Sequence, residues 1–467
     1  MDSNLFSFTL SHAHQGLGEA EKALNSASSL QFSFQGALVF FALLVIVSTI
    51  FDKIGRKLSI PGTIFIFFLG LFSNFAGFSY ETVPLEQVHI VALCILLFFS
   101  GLTFDRSLLK ENKLLVSSIL LALLGTVLSM IFWIFYVRYG LSFFAFVGYV
   151  KGLEPKILTL MTVVMVYSLA VHDWNSYTFV RNRIPGFRKI LANVFKIETS
   201  VSAAISLLLA ELMVLAWLNV NPEYSRFAEL DQFLEIMKGI VVGIFSGILM
   251  GIVLTYLIRY FVSDKPQLVL VAIGFTFLGY IISDLVVEHG GYLCALSIGI
   301  STSFTYRTES TLDEIEFLGE ELESFNIASE AILFYAIGVG IQPSLFFYHL
   351  PIAIFLWIGI VLVRPICVKL FVKSESLNLE EISLLSFWSP KGAISMALVV
   401  GAPELLDEMF KVEITEIFNA EAFSLMVDSV CGAVVISMIV KSFLIPKMHP
   451  YFSIKASHIA EQPSIQK

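Results

Sequence analysis

The sequence predicts an all-α polytopic membrane protein, and three observations carry that prediction. Of the 467 residues, 57% are hydrophobic and only 14% charged, with a mean hydropathy of +0.83, whereas a water-soluble domain carries nearly twice that share of charge. Long apolar stretches recur along the chain, many near the roughly 20 residues that a helix needs to cross hydrocarbon. Most of the 29 lysines and arginines fall in alternate connections, as expected when basic residues are retained on the cytoplasmic side.

On those criteria about thirteen spans are expected, at residues 35–51, 61–79, 87–104, 114–138, 156–181, 189–219, 234–262, 266–287, 290–306, 326–342, 348–373, 383–402 and 420–445. Residues 1–33 are polar, lack the basic start and short apolar run of a signal peptide, and read as a lead-in. The transmembrane domain then covers 34–446, and 447–467 forms a short cytoplasmic tail. Lys53, Arg56, Lys57, Arg106, Lys110 and Lys113 sit in the first connections on one side. This places the N-terminus outside and the C-terminus in the cytoplasm, and we expect an integral protein of a bacterial inner membrane.

An odd number of spans has a symmetry consequence. Six helices, a bridge and six more give two inverted six-helix repeats, at about 35–219 and 266–445, joined by a bridging helix at about 234–262. Gly239, Gly243, Gly247 and Gly251 lay a smooth stripe along that bridge, suited to close helix packing.

Inverted repeats place a site near the midplane, at helices that break and at charges where charge is expensive. The fifth segment carries His172, Asp173 and Asn175 in apolar sequence, and the twelfth, its counterpart, carries Ser389, Pro390, Lys391 and Gly392. Pro390 lacks an amide hydrogen and clashes with the preceding turn. Both segments are therefore expected to be interrupted and to cross near the midplane, with Pro390 and Gly392 marking the second break. Glu198 stands early in the sixth segment beside Thr199, Ser200 and Ser202. An unpaired charge at the bilayer centre costs about 2.5–3.5 kcal/mol on insertion scales, so Asp173, Glu198 and Lys391 are expected to cluster, with Glu198 paired to Lys391. Such a pair also fits a purely structural bridge between helices.

Further polar residues receive a plainer reading. Glu330 at the start of the tenth segment and Arg364 in the eleventh are expected to snorkel or find a local partner. Asp428 in the thirteenth reads as a packing or proton-path residue. The acidic stretch Glu309 to Glu323 has Ile315, Leu318 and Leu322 at helical spacing, which predicts a cytoplasmic interfacial helix. Cys94, Cys294, Cys367 and Cys431 lie in apolar segments without CxxC spacing and read as packed thiols. The formal charge of −9 reflects acids in the loops, not a nucleic-acid surface. With no HExxH or GxSxG motif and no loop large enough for a catalytic domain, the chain is not expected to be an enzyme or to need a cofactor or resident metal.

The order of several motifs resembles the monovalent cation/proton antiporter family, the group of sodium/proton exchangers. LLFFSGLTFD (Leu96 to Asp105) is similar to that family's apolar run with a Gly-Leu-x-x-Asp turn, and IETSVSAAISLLL (Ile197 to Leu209) to its Glu-Ser-x-x-Asn-Asp helix start. WSPKGAISMAL (Trp388 to Leu398) is similar to its Gly-Leu-Arg-Gly-Ala-Val-Ser segment, and Arg364-Pro365 is a weaker match. The resemblance implies secondary transport in which Na⁺ or K⁺ exchanges for protons, a homodimer, and an ion site in the fifth and sixth helices. Carried over, Asp173 takes the place of the fifth-helix acid, although Trp174 follows it where the family has proline; Glu198 that of the paired Glu; and Lys391 that of an Arg. The Asn-Asp pair is replaced by Ser202 and Ala203, so the acid that ordinarily carries the ion is missing.

Exchange could survive that loss if Asp173 and Glu198, helped by Thr199, Ser202 and opened backbone carbonyls, held the cation, since oxygen ligands suit hard cations. Lysine, unlike arginine, releases its proton when desolvated, which makes Lys391 a proton carrier, and His172 is a second candidate. An anion or organic-solute transporter, and an ion sensor built on the same fold, stay open as alternatives because Ala203 removes a negative charge.

Overall fold

The computed structural model describes residues 44, 46–73, 85–104, 112–149, 154–182, 184, 189–220, 230–261, 265–287, 290–305, 312–372, 377, 379–402 and 420–460. The polar lead-in, and the basic connection around Lys110, lie outside these residues. What is described is helix after helix: α1 (46–58), α2 (Gly62–Ser73), α3 (Leu85–Leu102), α4 (Asn112–Phe146), α5 (Pro155–Ala170), α6 (Trp174–Arg181), α7 (Lys189–Val220) and α8 (Leu230–Phe261). There follow α9 (Lys265–Val286), α10 (Gly291–Thr305), α11 (Leu312–Gly340), α12 (Pro343–Tyr348), α13 (Leu350–Phe371), α14 (Leu379–Phe387), α15 (Ala393–Val400) and α16 (Ala420–Ala460).

Local chemistry sets several boundaries. Pro155 opens α5 and Pro343 opens α12 at first-turn positions, where a missing N–H costs nothing. Gly148, at φ +76°, lies just beyond α4 in the left-handed region that an L side chain avoids.

Where the described residues cover them, the predicted segments fall largely on helix, the first only at 44 and 46–51, but the count of thirteen crossings is not established. Among the described residues seven helices are long and apolar enough to cross a membrane, and an eighth if α5 and α6 form one bent span. The remainder are short: α2 has 12 residues and α10 has 15. One further expectation changes. The acidic stretch is not a separate interfacial helix, because residues 312–340 form one continuous helix, α11, that carries its acids straight into the tenth segment. The last helix, α16, runs past 446 into the segment read as the tail, ending at Ala460.

The helices sort into two sets. α2, α3, α8, α9, α10 and α11 pack extensively on one another, as do α4 to α7 with α12 to α16, while the seam between the sets is thinner. Glycines permit the closest approaches in the first set. A Cβ at Gly70 of α2 would lie 2.4 Å from Tyr335 O of α11, and one at Gly338 of α11 equally close, at 2.4 Å, to Phe67 O of α2. The same reciprocal crossing joins α3 and α10, where a Cβ at Gly101 would meet Leu296 O at 2.3 Å and one at Gly299 would meet Phe98 O at 2.2 Å. Exchanging each segment with the one seven later turns the α2–α11 crossing into the α10–α3 crossing, as inverted repeats require. The glycine stripe of the bridging helix α8 faces α10: Gly243, Gly247 and Gly251 lie against Gly290, Cys294 and Ser301 with no room for a side chain.

Val241, Phe245, Leu249 and Tyr256 on α8, and Leu124, Ile131 and Phe135 on α4, are exposed large apolar residues, the surface that hydrocarbon would cover. The described cysteines are all buried.

Candidate functional site

Both predicted interruptions are present, and they meet. The first separates α5 from α6 at Val171–Asp173, with a 42° bend between the halves. The second separates α14 from α15 at residues 388–392. Asp173 N donates to Pro390 O at 3.0 Å, tying one break to the other. Gly392 is required here, because a Cβ would stand 2.2 Å from Asp173 Oδ2.

Each broken helix leaves unpaired backbone groups, and side chains answer them. Asp173 caps α6, its Oδ1 accepting from Asn175 N at 3.0 Å, and its other oxygen faces Gly392, the N-cap of α15. The carboxylate therefore sits between two helix N-termini, whose partial positive charge favours an anion. The C-terminal ends meet lysines. Lys391 Nζ donates to Val171 O, the C-cap of α5, at 2.6 Å, and Lys441 Nζ from α16 donates to Ser389 O beyond α14. Asp173, Lys391 and Lys441 are 2%, 3% and 5% exposed, so the dipoles and charges compensate away from water.

Glu198 does not pair with Lys391 as the sequence suggests. It receives a two-pronged contact from Arg364 of α13, with Arg364 Nη1 on Glu198 Oε1 and Nη2 on Oε2 at 2.6 Å. Arg364 Nε also donates to Leu385 O of α14 at 3.1 Å. The snorkelling expected of Arg364 is thus replaced by a buried clamp across α7, α13 and α14, a geometry for which the planar guanidinium is suited. Behind it Tyr177, Phe195 and Trp388 form a ring cluster with centroids 4.6–5.0 Å apart.

The remaining predicted residues divide. Ser202 is at the crossing, its Oγ accepting from His172 N at 3.2 Å and donating to Thr199 O at 3.3 Å. Thr199 Oγ1 instead donates to Phe195 O of its own helix at 2.9 Å. His172 Nε2 lies 3.3 Å from Ser389 Oγ and 3.9 Å from Glu198 Oε1. Ala203 is fully buried. Asp428, near the start of α16, pairs with His349 Nδ1 at 2.8 Å and accepts from Ser424 at 3.0 Å.

A cavity of about 360 Å³ leads towards this crossing, room for about a dozen waters at roughly 30 Å³ each. Asp52 and Arg56 of α1 and Glu323 of α11 stand in its wall, and Asn175, Ser176 and Glu330 line it beside α6. Glu330 is 4% exposed. Its plain reading from sequence followed from its place at a span boundary, which the continuity of α11 removes. Lys441 gave a weak signal as a base inside the thirteenth segment; Asn326, which donates to Asn175 Oδ1, gave none.

The comparisons with known proteins bear on the fold and the family. The family described as sodium/hydrogen exchanger, transmembrane, matches residues 39–448. The sodium proton antiporter MjNhaP1 of Methanocaldococcus jannaschii, determined at pH 8, superposes with a TM-score of 0.68 at 15% identity, over 88% of this chain and 99% of that one. A second structure of the same antiporter, from an electron-microscopy map, gives 0.66 at 16% identity over 90% and 97%. A search of curated proteins finds no match. At these identities the likeness is one of fold. The profile, spanning most of the chain, settles membership: this is an integral membrane protein of the sodium/hydrogen exchanger family, a family of transporters and not of enzymes.

Proposed function

We propose that the chain exchanges a monovalent cation, Na⁺ or K⁺, for protons, with Asp173 at the centre of the ion site. One observation carries this reading: a buried carboxylate at the junction of two broken helices, two residues before Asn175, which lines a cavity whose charged groups among the described residues are Asp52, Glu323 and Glu330 with Arg56. Three acids to one base attract cations and repel anions, which disfavours the anion-carrier alternative.

In this reading Asp173 binds cation and proton in turn. Lys391 moves between a charged state held by Val171 O and a neutral state when a cation arrives, His172 and Ser202 position the break between α5 and α6, and Thr199 supports α7. Glu198, committed to Arg364, fixes helix geometry and contributes less to binding than the sequence suggests. The N-out, C-in orientation and the homodimer belong to the same proposal, and with them the cavity opens to the cytoplasm.

The test is an exchange assay. Proteoliposomes carrying the protein, with a Lys57→Cys variant labelled from outside to report orientation, are given an acid interior, and internal pH is followed as Na⁺, K⁺ or Li⁺ is added. We expect at least one cation to dissipate the gradient, and Asp173→Asn to abolish the effect. A gradient indifferent to every cation would leave the sensor reading in place.

A further inference from the structure

We propose that Glu330 supplies the second carboxylate of the ion site, from the opposite wall of the cavity, in place of the acid missing at Ala203. This rests on the exchange reading above and identifies a ligand that its sequence motifs do not contain.

The buried charges near the crossing leave two acids over. Arg364 is committed to Glu198, Lys391 to Val171 O and Lys441 to Ser389 O. Among the described residues no ion pair reaches either Asp173 or Glu330. Two buried carboxylates without a base between them are unstable unless a cation or a proton joins them.

Their surroundings supply further oxygens. Glu330 lies four residues after Asn326 on α11, so both face the same way along the helix. Asn326 bonds to the Asn175 side chain, and Asn175 N bonds to Asp173 Oδ1 at 3.0 Å, so the start of α6 links the two acids. Asn326 Oδ1 is buried without a partner, and Asn175 lines the cavity with Glu330. Carboxylate, amide and water oxygens are the ligands that a small hard cation takes, and the cavity admits the waters to complete its shell.

The experiment compares wild type, Glu330→Gln and Glu330→Asp for the KM of Na⁺, K⁺ and Li⁺ in proteoliposomes, and for binding of ²²Na⁺ to the detergent-solubilised protein. We expect Glu330→Gln to raise KM and weaken ²²Na⁺ binding on the order of tenfold or more, the effect of losing about 1.4 kcal/mol of binding. Glu330→Asp should recover part of the affinity and change the preference between Na⁺ and Li⁺, which a residue that only supports packing would not do. If wild type exchanges cations and Glu330→Gln keeps wild-type KM and binding, the proposal is overturned. Should Glu330→Gln not fold, an Asp variant with unchanged KM and selectivity overturns it equally. If wild type binds ²²Na⁺ through Glu330 but exchanges nothing, the exchange reading fails and this assignment stands.

Discussion

Arg364 shows how far one residue can be read without its neighbours. The cost of a mid-membrane charge made Asp173, Glu198 and Lys391 conspicuous in the sequence, and all three are buried together with the crossing. Their partners were not legible, because pairing depends on which helix faces which. The eleventh segment brings Arg364 onto Glu198, while the end of α5 brings a carbonyl onto Lys391. Removing one member of a buried pair strands the other, at a cost of about 3–5 kcal/mol. Arg364→Ala should therefore lower the thermal midpoint of the solubilised protein sharply. Arg364→Lys should rescue little of it, since an ammonium cannot reproduce the two-pronged contact together with the bond to Leu385 O. A lysine variant as stable as wild type would show that charge alone suffices.

At the scale of elements, the broken helices were the most legible feature. A proline without an amide hydrogen, a glycine and buried polar residues at matching places in two halves specify an interruption in each. The glycine crossings were not legible, since Gly70, Gly101, Gly299 and Gly338 look like ordinary membrane glycines until their reciprocal contacts are seen. Gly299→Ala would drive a methyl into Phe98 O, at 2.2 Å for an unshifted backbone, and should cost about 1–3 kcal/mol. Gly70→Ala, its counterpart in the other half, should cost a similar amount. Gly274→Ala on α9 meets nothing within 4 Å and should be neutral or stabilising by up to about 1 kcal/mol. Thermal midpoints of the three variants, measured side by side, decide whether the two crossings are equivalent.

For the whole molecule, composition and the seven-segment offset were enough to anticipate an all-helical membrane body of paired halves. Its division into two sets was not visible, because a seam is defined by missing contacts and leaves no mark on hydropathy. Among the described residues the contacts between the sets include polar ones, His89 Nε2 to Ala397 O at 3.0 Å and Ser200 Oγ to Ser100 O at 2.5 Å. A Cβ at Gly401 of the second set would lie 2.6 Å from the His89 ring of the first. Cysteines at these two positions, joined by oxidation, should lock the sets; the native cysteines are buried and offer little competition. We expect the locked protein to keep ²²Na⁺ binding and lose exchange, with reduction restoring it. Exchange undiminished by the cross-link would show that the seam does not move.

That seam gives the cavity a mechanical meaning. Asp173 belongs to one set and Glu330 to the other, so at the proposed site an ion held by both would rivet the two sets together. Attraction between charges falls with their separation, and a slide of one helical turn, about 5.4 Å, would carry the carboxylates apart. The grip on the ion would then loosen because the sets have moved, coupling release to displacement without a separate gate.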